Sequence, residues 1–405
     1  MTTSKFRFVP DFGERNIGKK RPTLYLFCWN AHRYENEPDH PAPKAETDQK
    51  TTQSSPTVVA LKPSLPENSS FVFGQASFAP DQKTIFATGY EETFDGRRLG
   101  AVGCWNHPSA IFKLELPKEL PADSEEITVN AHRLTPPELS ARSPRVTDAA
   151  SGEPYSTVWL ANPIGGPHSS CTSLHFLRSD ENQLKILVDY VFNPISQPGG
   201  FPGLYVEQLP SRPFLSLNPG IKGTSHLVTH SFWGSRQTVL AISLLSCTNV
   251  QDLTPDPNHS WTVMGTDGKE GLLAVRSAIN KPNELVEARF QTLKPVQDWK
   301  IIDKPQVAAW GQSVESSPLL SSPSNILLAV RDKLNTLEWS IHPVPKRSPT
   351  EVIVLRTTGQ NDQPLVTIPH GGPHGTYTVE FNPSTVALAL EGCKRVRLAF
   401  STFYK

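Results

Sequence analysis

Thirty-eight prolines and 25 glycines are spread along the whole 405-residue chain, and they constrain its fold more than any other feature. Proline removes a backbone donor and clashes with the preceding helical turn, so few windows remain for a helix of the ~11 residues usual in globular proteins. Between these breakers the apolar residues fall in short runs: Thr57–Leu61, Ser70–Phe73, Thr84–Ala87, Thr157–Leu160, Leu184–Val188, Thr238–Ile242 and Ile326–Val330. Runs of four or five aliphatic and aromatic residues close to Gly, Pro, Asn, Asp or Ser carry the signature of strands. Ala79-Pro80-Asp81-Gln82-Lys83 sets proline second in a type I turn and restarts a strand at Thr84. The fold is expected to be mainly β.

Strand-turn-strand units repeated from Thr57 to Pro343 suggest a propeller or a sandwich. Length favours the first, because roughly 290 residues hold about seven four-stranded blades at ~40–45 residues each. A sandwich of ~100 residues would have to recur nearly three times, and no linkers of that spacing occur. The Trp-Asp and Gly-His signatures of WD40 blades are missing. Upstream, Tyr34–Pro56 contains no bulky aliphatic residue and cannot bury enough surface to offset ordering entropy, so it is expected to be disordered, with the structured chain beginning after it.

After Pro343 the pattern changes. Glu351–Arg356 and Leu365–Ile368 read as strands, and Pro383–Leu390 reads as a helix with proline in its first turn and Gly392 as its C-cap. Strand, glycine-rich turn and helix is how a doubly wound α/β domain begins. The expected division is an N-terminal extension over residues 1–56, a β-propeller over 57–343 and a partial α/β domain over 344–405.

The glycine-rich turn is His370-Gly371-Gly372-Pro373, followed by His374. Two glycines at a strand end leave backbone N–H groups bare, where they can meet the oxyanion of an acyl-transfer intermediate. The N–H groups of Gly371 and Gly372, rather than the His370 imidazole, would carry that chemistry, and Pro373 closes the motif. The alternative is a plain glycine turn after a strand. The partner feature of such a site is a Gly-x-Ser-x-Gly elbow downstream, yet only 31 residues follow His374 and none of the chain contains that pattern. Gly223-Thr224-Ser225 and Gly311-Gln312-Ser313 lack the second glycine.

Three blocks carry a resemblance. Gln363–Gly392 (QPLVTIPHGGPHGTYTVEFNPSTVALALEG) resembles the start of the hydrolase domain of acylaminoacyl-peptidases, also called acylamino-acid-releasing enzymes, of the prolyl oligopeptidase family. Gly74–Asp81 resembles a propeller blade near the N-terminus of those enzymes. Arg98-Leu99-Gly100 with Cys104–Phe112 is similar to their Leu-Gly and Cys-x-Asn-x-x-Ser-Ala-Ile-Tyr pattern. The resemblance implies a propeller followed by a truncated start of an α/β-hydrolase domain, an acylated peptide as substrate, release of an N-acylated amino acid, and Gly371 and Gly372 in the oxyanion hole. It also implies that Ser, Asp and His of the triad are absent from these residues, so the chain is expected to be inactive by itself. A non-catalytic propeller scaffold and another prolyl oligopeptidase relative are the alternatives. Where the family has a further apolar strand, this chain has Cys393-Lys394-Arg395-Val396-Arg397. A truncated or mis-spliced product is therefore expected, with the apolar edges of Val352–Leu355 and Leu365–Ile368 left unpaired.

Other motifs favour bland readings. Gly165-Gly166-Pro167-His168 repeats part of the tetrad inside the propeller span and reads as an inter-strand turn. His226 and His230 have a metal-pair spacing, but Leu227 stands where a zincin has glutamate and no third ligand is evident. Ser169, Ser170 and Ser225 lack a local base and elbow. Seven of the eight tryptophans (Trp105, Trp159, Trp233, Trp261, Trp299, Trp310, Trp339), irregularly spaced, fit blade packing. Five scattered cysteines with no Cys-x-x-Cys pair argue against a disulfide framework or zinc knuckle. Neither a metal nor another cofactor is expected. Thirty-nine basic and 39 acidic residues give a net charge of zero, with no electrostatic footprint for nucleic acid or an anionic membrane. No stretch reaches the ~18 apolar residues of a membrane span, and the N-terminus has no apolar signal core. A cytoplasmic protein, able to form a homo-oligomer, is expected.

Overall fold

A computed structural model describes residues 20–28, 57–304, 332–391 and 394–399, with short breaks inside these ranges that include 98–104, 119–123, 218–224, 246–249, 347–349, 360–363 and 370–375. The first sheet contains β1 (Leu24–Cys28), β2 (Thr57–Ser64), β3 (Phe71–Phe78), β4 (Thr84–Glu91), β5 (Ser109–Glu115) and β6 (Glu126–Arg133), in the order β1-β2-β6-β5-β4-β3. Strands β3 to β6 are an antiparallel meander, and the β1–β2 hairpin joins it through a parallel pairing of β2 with β6. Leu24–Cys28 is therefore a strand within the N-terminal extension, and order begins ahead of Pro56. Tyr34–Pro56 lies outside the described residues.

Three further four-stranded meanders follow. They are β7 (Leu139–Val146), β8 (Ser156–Pro163), β9 (Ser173–Arg178) and β10 (Lys185–Val188); β11 (Phe214–Ser216), β12 (Ser225–Phe232), β13 (Gln237–Ser243) and β14 (Val250–Asp252); and β15 (Ser260–Thr266), β16 (Gly271–Ala278), β17 (Lys281–Arg289) and β18 (Lys300–Asp303). Each pairs only with its sequence neighbours, so every sheet closes locally before the next begins.

The strand period of two then stacks these sheets. On β4, Ile85 and Ala87 enter the core of the first sheet while Phe86 faces the second sheet. On β13, Leu240 and Ile242 face the second sheet while Val239 and Ala241 face the fourth. Antiparallel sheets stacked face on face in sequence order, the second and third covered on both sides and the fourth exposing Met264 and Leu273 on its far side, are blades of a propeller. Four blades lie among the described residues, against the about seven expected from length. The first two blades take more chain than the ~40–45 residues assumed, the second because its connection from Val188 to Phe214 is packed into the core through Phe201, Leu204, Tyr205, Val206 and Leu209; the third and fourth, Phe214–Asp252 and Ser260–Asp303, keep to it.

The first strands of three blades share a local irregularity. Register shifts fall between Gly74 and Ser77 on β3, between Arg142 and Arg145 on β7, and between Val263 and Gly265 on β15. At the first two the extra residue has a left-handed backbone, Gln75 with φ 51° and Ser143 with φ 59°, which strains a non-glycine residue. The strain is held by contacts between the blades: the Ser143 N–H donates to Gln75 Oε1 at 2.8 Å and lies 3.1 Å from Thr88 Oγ1.

The last sheet differs in kind. It contains β19 (Leu337–Pro343), β20 (Glu351–Thr357), β21 (Leu365–Pro369) and β22 (Lys394–Ala399) in the order β19-β20-β22-β21, with helix α1 (Pro383–Leu390) between β21 and β22. β20 is antiparallel to both neighbours, whereas β21 and β22 are parallel, as a β-α-β crossover requires. The tail expected to leave its neighbours bare instead forms β22, inserted between them: Val354 pairs with Val396 and Thr367 with Val396 on the other side. Composition hid this strand, because Lys394, Arg395 and Arg397 interrupt the apolar run, yet the backbone can pair on both edges whatever the side chains. No helix among the described residues is long and apolar enough to cross a membrane.

Candidate functional site

The tetrad His370-Gly371-Gly372-Pro373 lies outside the described residues; both of its flanks are described. Upstream, β21 ends with Pro369 in parallel register opposite Leu398. Downstream, Thr378 and Val379 are buried, and the Val379 N–H donates to the Ser235 carbonyl in the β12–β13 turn at 2.9 Å. The Phe381 N–H donates to Ser277 Oγ on β16 at 3.3 Å. Asn382 then caps α1, its side-chain oxygen accepting from the Thr385 N–H at 3.0 Å and the Thr385 hydroxyl at 2.9 Å. The far end of the helix is tied to β20 by the Thr357 hydroxyl, which donates to the Ala389 carbonyl at 3.0 Å. The sequence thus holds two glycines between the carboxyl end of a parallel strand and a capped helix. Ligands of open α/β sheets bind at that end of the strands, and uncommitted N–H groups in such a turn can stabilise a developing oxyanion.

Two Ser–His contacts among the described residues have the composition of a nucleophile and its base. Ser173 Oγ and His175 Nε2 are 2.9 Å apart, and Ser340 Oγ and His342 Nε2 are 2.7 Å apart. Both pairs are i, i+2 on a strand, which puts two side chains on one face; that spacing is the signal by which the sequence shows them. Neither pair is built for catalysis. Ser173 and His175 are buried, the ring is stacked on Trp159, Nδ1 has no partner among the described residues, and burial pulls the imidazole down to about 4. A triad base instead needs a carboxylate on its second nitrogen and an exposed serine. Ser340 and His342 are exposed on the edge strand β19, away from any sharp elbow.

The remaining candidates resolve into packing. Gly165 and Gly166 both have a left-handed backbone (φ 84° and 80°) in the β8–β9 connection. The Gly165 N–H donates to the Asn106 carbonyl at 3.0 Å, and the Asn106 side-chain amide donates to the Gly166 carbonyl at 2.7 Å. That is an inter-strand turn clamped by the Trp105-Asn106-His107 segment. His226 and His230 share one face of β12, but His230 Nδ1 accepts the Val263 N–H at 3.1 Å and burial depresses its imidazole to about 4. No group of three or more His, Cys, Asp or Glu side chains among the described residues could hold a metal. Ser170 Oγ is within 2.8 Å of the Tyr190 hydroxyl and accepts from the Asn162 amide at 3.0 Å. Cys171 is a free buried thiol pushed up to about 11 by desolvation.

Two buried arginines on β7 carry no signal in the sequence. Arg142 donates to the carbonyls of Glu207 and Val206 and to Asn162 Oδ1 at 2.8, 3.0 and 2.6 Å, and its guanidinium lies 4.6 Å from the centre of the Trp105 ring. Burial lowers its pKa to about 9, still well above neutrality. Arg145 donates to the carbonyls of Pro210, Leu209 and Pro144. Both cations are used to fasten the 206–210 connection to the second blade. A groove of about 600 Å³ over Met264, Gly265 and Leu273 of the fourth blade, beside Arg212 and Arg289, is mostly apolar.

Residues 54–312 match the family model described as the N-terminal domain of acylamino-acid-releasing enzyme. The chain is 25% identical over 408 residues to the acylamino-acid-releasing enzyme of Arabidopsis thaliana, covering 94% of this chain and 46% of that protein. It is 25% identical over 392 residues to that of Homo sapiens, covering 92% and 42%. The chain therefore spans less than half the length of these curated relatives. Among solved structures, oligopeptidase B from Leishmania major superposes with a TM-score of 0.48 at 11% identity over 81% of this chain and 38% of that one. Prolyl oligopeptidase B from Galerina marginata gives 0.49 at 9% identity over 81% and 37%.

Proposed function

The chain belongs to the acylamino-acid-releasing enzyme N-terminal domain family, and on that footing we propose that it supplies the propeller and the oxyanion half of a serine peptidase that releases N-acylated amino acids from short peptides. Gly371 and Gly372 donate their N–H groups to the oxyanion; the nucleophile, its base and the orienting acid are not among these 405 residues. The chain by itself has no peptidase activity.

The observation that carries this reading is the order of the last sheet. A first strand, an antiparallel second, then a third and fourth that run parallel with the fourth inserted between second and third, is matched by β19-β20-β22-β21. In α/β-hydrolases the turn after the third strand and before the first helix contributes an oxyanion N–H. The tetrad occupies that interval, between Pro369 and Pro383. The division into residues 1–56, 57–343 and 344–405 is adopted with it, although β19 (Leu337–Pro343) pairs with β20 and so belongs to the last sheet.

The purified chain is assayed with an acetyl-alanine chromogenic amide and a fluorophosphonate probe, beside a chimera that continues it with the matching C-terminal half of the Arabidopsis relative. The expected result is no turnover or labelling of the chain, and labelling plus preferential cleavage of the acetylated amide by the chimera. Labelling of any serine in the chain itself overturns the claim of a missing nucleophile. A chimera that is labelled but prefers the unacetylated amide overturns the substrate class.

A further inference from the structure

The β12–β13 turn of the third blade reaches the last sheet with two backbone groups of one residue. The turn is tight, the Trp233 N–H donating to the Arg236 carbonyl at 2.8 Å, and Gly234 within it has φ +64°. Ser235, 2% exposed, donates its N–H to Glu351 Oε2 at the start of β20, at 2.7 Å. Its carbonyl accepts the Val379 N–H at 2.9 Å. Glu351 and Val379 lie on opposite sides of the tetrad in sequence, so a single blade residue holds β20, upstream of it, and the segment downstream of it.

The fit around this contact is close. A Cβ on Gly234 would stand 2.8 Å from Glu351 Oε2, and the left-handed backbone there further disfavours a side chain. The bond to Glu351 is charge-assisted, the stronger class of hydrogen bond. Val379 is itself fully buried in a cluster with Ile279 from the fourth blade and Ile353, Leu355 and Val386 from the last sheet and its helix. Apolar packing there fixes position broadly, while the two hydrogen bonds fix register.

We propose that the Gly234–Ser235 turn is a positioning clamp that holds residues 376–382, immediately after the tetrad, in register with β20. Ser235 acts through its backbone, Glu351 and Gly234 set where that backbone lies, and none of the three touches substrate. The functional meaning rests on reading the tetrad as the oxyanion turn; the clamp does not.

Amide hydrogen exchange on the full chain tests it. Glu351→Ala should raise exchange at Val379 and its neighbours in 376–382 by about tenfold, with the central strands β8, β13 and β16 unchanged, since local opening is independent of global stability. Gly234→Ala should do the same by steric displacement and decides the matter if Glu351→Ala fails to fold. Glu351→Gln keeps an acceptor and should largely restore protection, and Ser235→Ala, which keeps both backbone bonds, should leave it intact. Unchanged exchange in Gly234→Ala and Glu351→Ala, or equal loss in Glu351→Gln and Glu351→Ala, overturns the clamp. A chimera that folds but cleaves nothing leaves this exchange result standing, so the two readings fail separately.

Discussion

Trp159 and Leu160 are neighbours on β8 that sit in different cores. Trp159 packs with Phe86 and Ile111 of the first blade, and Leu160 with Leu227 and Leu240 of the third. Both are fully buried. A sheet with one wet face buries every second residue; here consecutive residues are buried, because the second blade is covered on both faces, by the first and by the third.

The first prediction follows from that alternation. Trp159→Ala should cost ~3–5 kcal/mol and Leu160→Ala ~2–5 kcal/mol, the range for large-to-small changes in packed cores. Urea unfolding of each variant checks it. If either substitution costs less than about 1 kcal/mol, one face of β8 is solvated and the stacking is wrong.

Arg142 supports the second prediction. Among the described residues it has no carboxylate partner, and its value lies in the carbonyls of Val206 and Glu207 and the Asn162 side chain that it satisfies. Arg142→Met should destabilise by about 3 kcal/mol, since unpaired buried acceptors cost ~1–3 kcal/mol each while the cation's own burial penalty is relieved. Protease cleavage should then appear first within residues 204–210. Arg142→Lys should not rescue it, because one ammonium cannot aim at three acceptors in the guanidinium's planar fork. Full rescue by lysine would show that charge, not geometry, is what the site needs.

Acid should weaken the fold through two imidazoles. Burial holds His175 and His230 at about 4, whereas the unfolded chain titrates them near 6.5. The unfolded state binds protons that the native state refuses, so stability falls as pH drops below about 6.5 and this contribution is exhausted near 4. Each histidine accounts for on the order of 3 kcal/mol over that window. At lower pH Asp81 joins them: desolvation opposes its charge, but the N–H groups of Lys83 and Thr84 hold the carboxyl below its usual range. NMR titration of the two imidazoles is the check, and a midpoint of 6 or above for either would contradict the burial argument.

Much of this was legible in residue order. Runs such as Thr84–Ala87 and Thr238–Ile242 are strands, and Pro383–Leu390 is a helix over the span that opens with its proline, capped at Glu391, one residue ahead of the expected Gly392. Ala79-Pro80-Asp81-Gln82 makes its turn, with the Gln82 N–H donating to the Ala79 carbonyl at 3.0 Å. What stayed hidden is non-local. Nothing in the sequence pairs Ser235 with Glu351 and Val379, because backbone groups carry no residue signature. Arg142 and Arg145 read as surface charge until the 206–210 connection folds over them. β22 is hidden because Lys394, Arg395 and Arg397 break the apolar run that the family has there and suggest a truncated or mis-spliced end, while the sheet recruits their backbone.

The last prediction turns on β22. Because it sits between β20 and β21, removing residues 393–405 would uncover an edge of each at once: Val352 and Val354 lose Leu398 and Val396, and β21 loses its partner altogether. Bare apolar edges pair with other chains. Truncation after Gly392 should therefore increase aggregation, read by light scattering. A deeper cut from Ser348 onward removes those edges but also takes Glu351 and Val379 away from Ser235 and strips the cluster around Ile279. It should be no more soluble than the full chain. A clear gain in solubility from the Ser348 cut would mean that the last sheet contributes nothing to the blades, and that the contacts through Ser235 and Ser277 are dispensable.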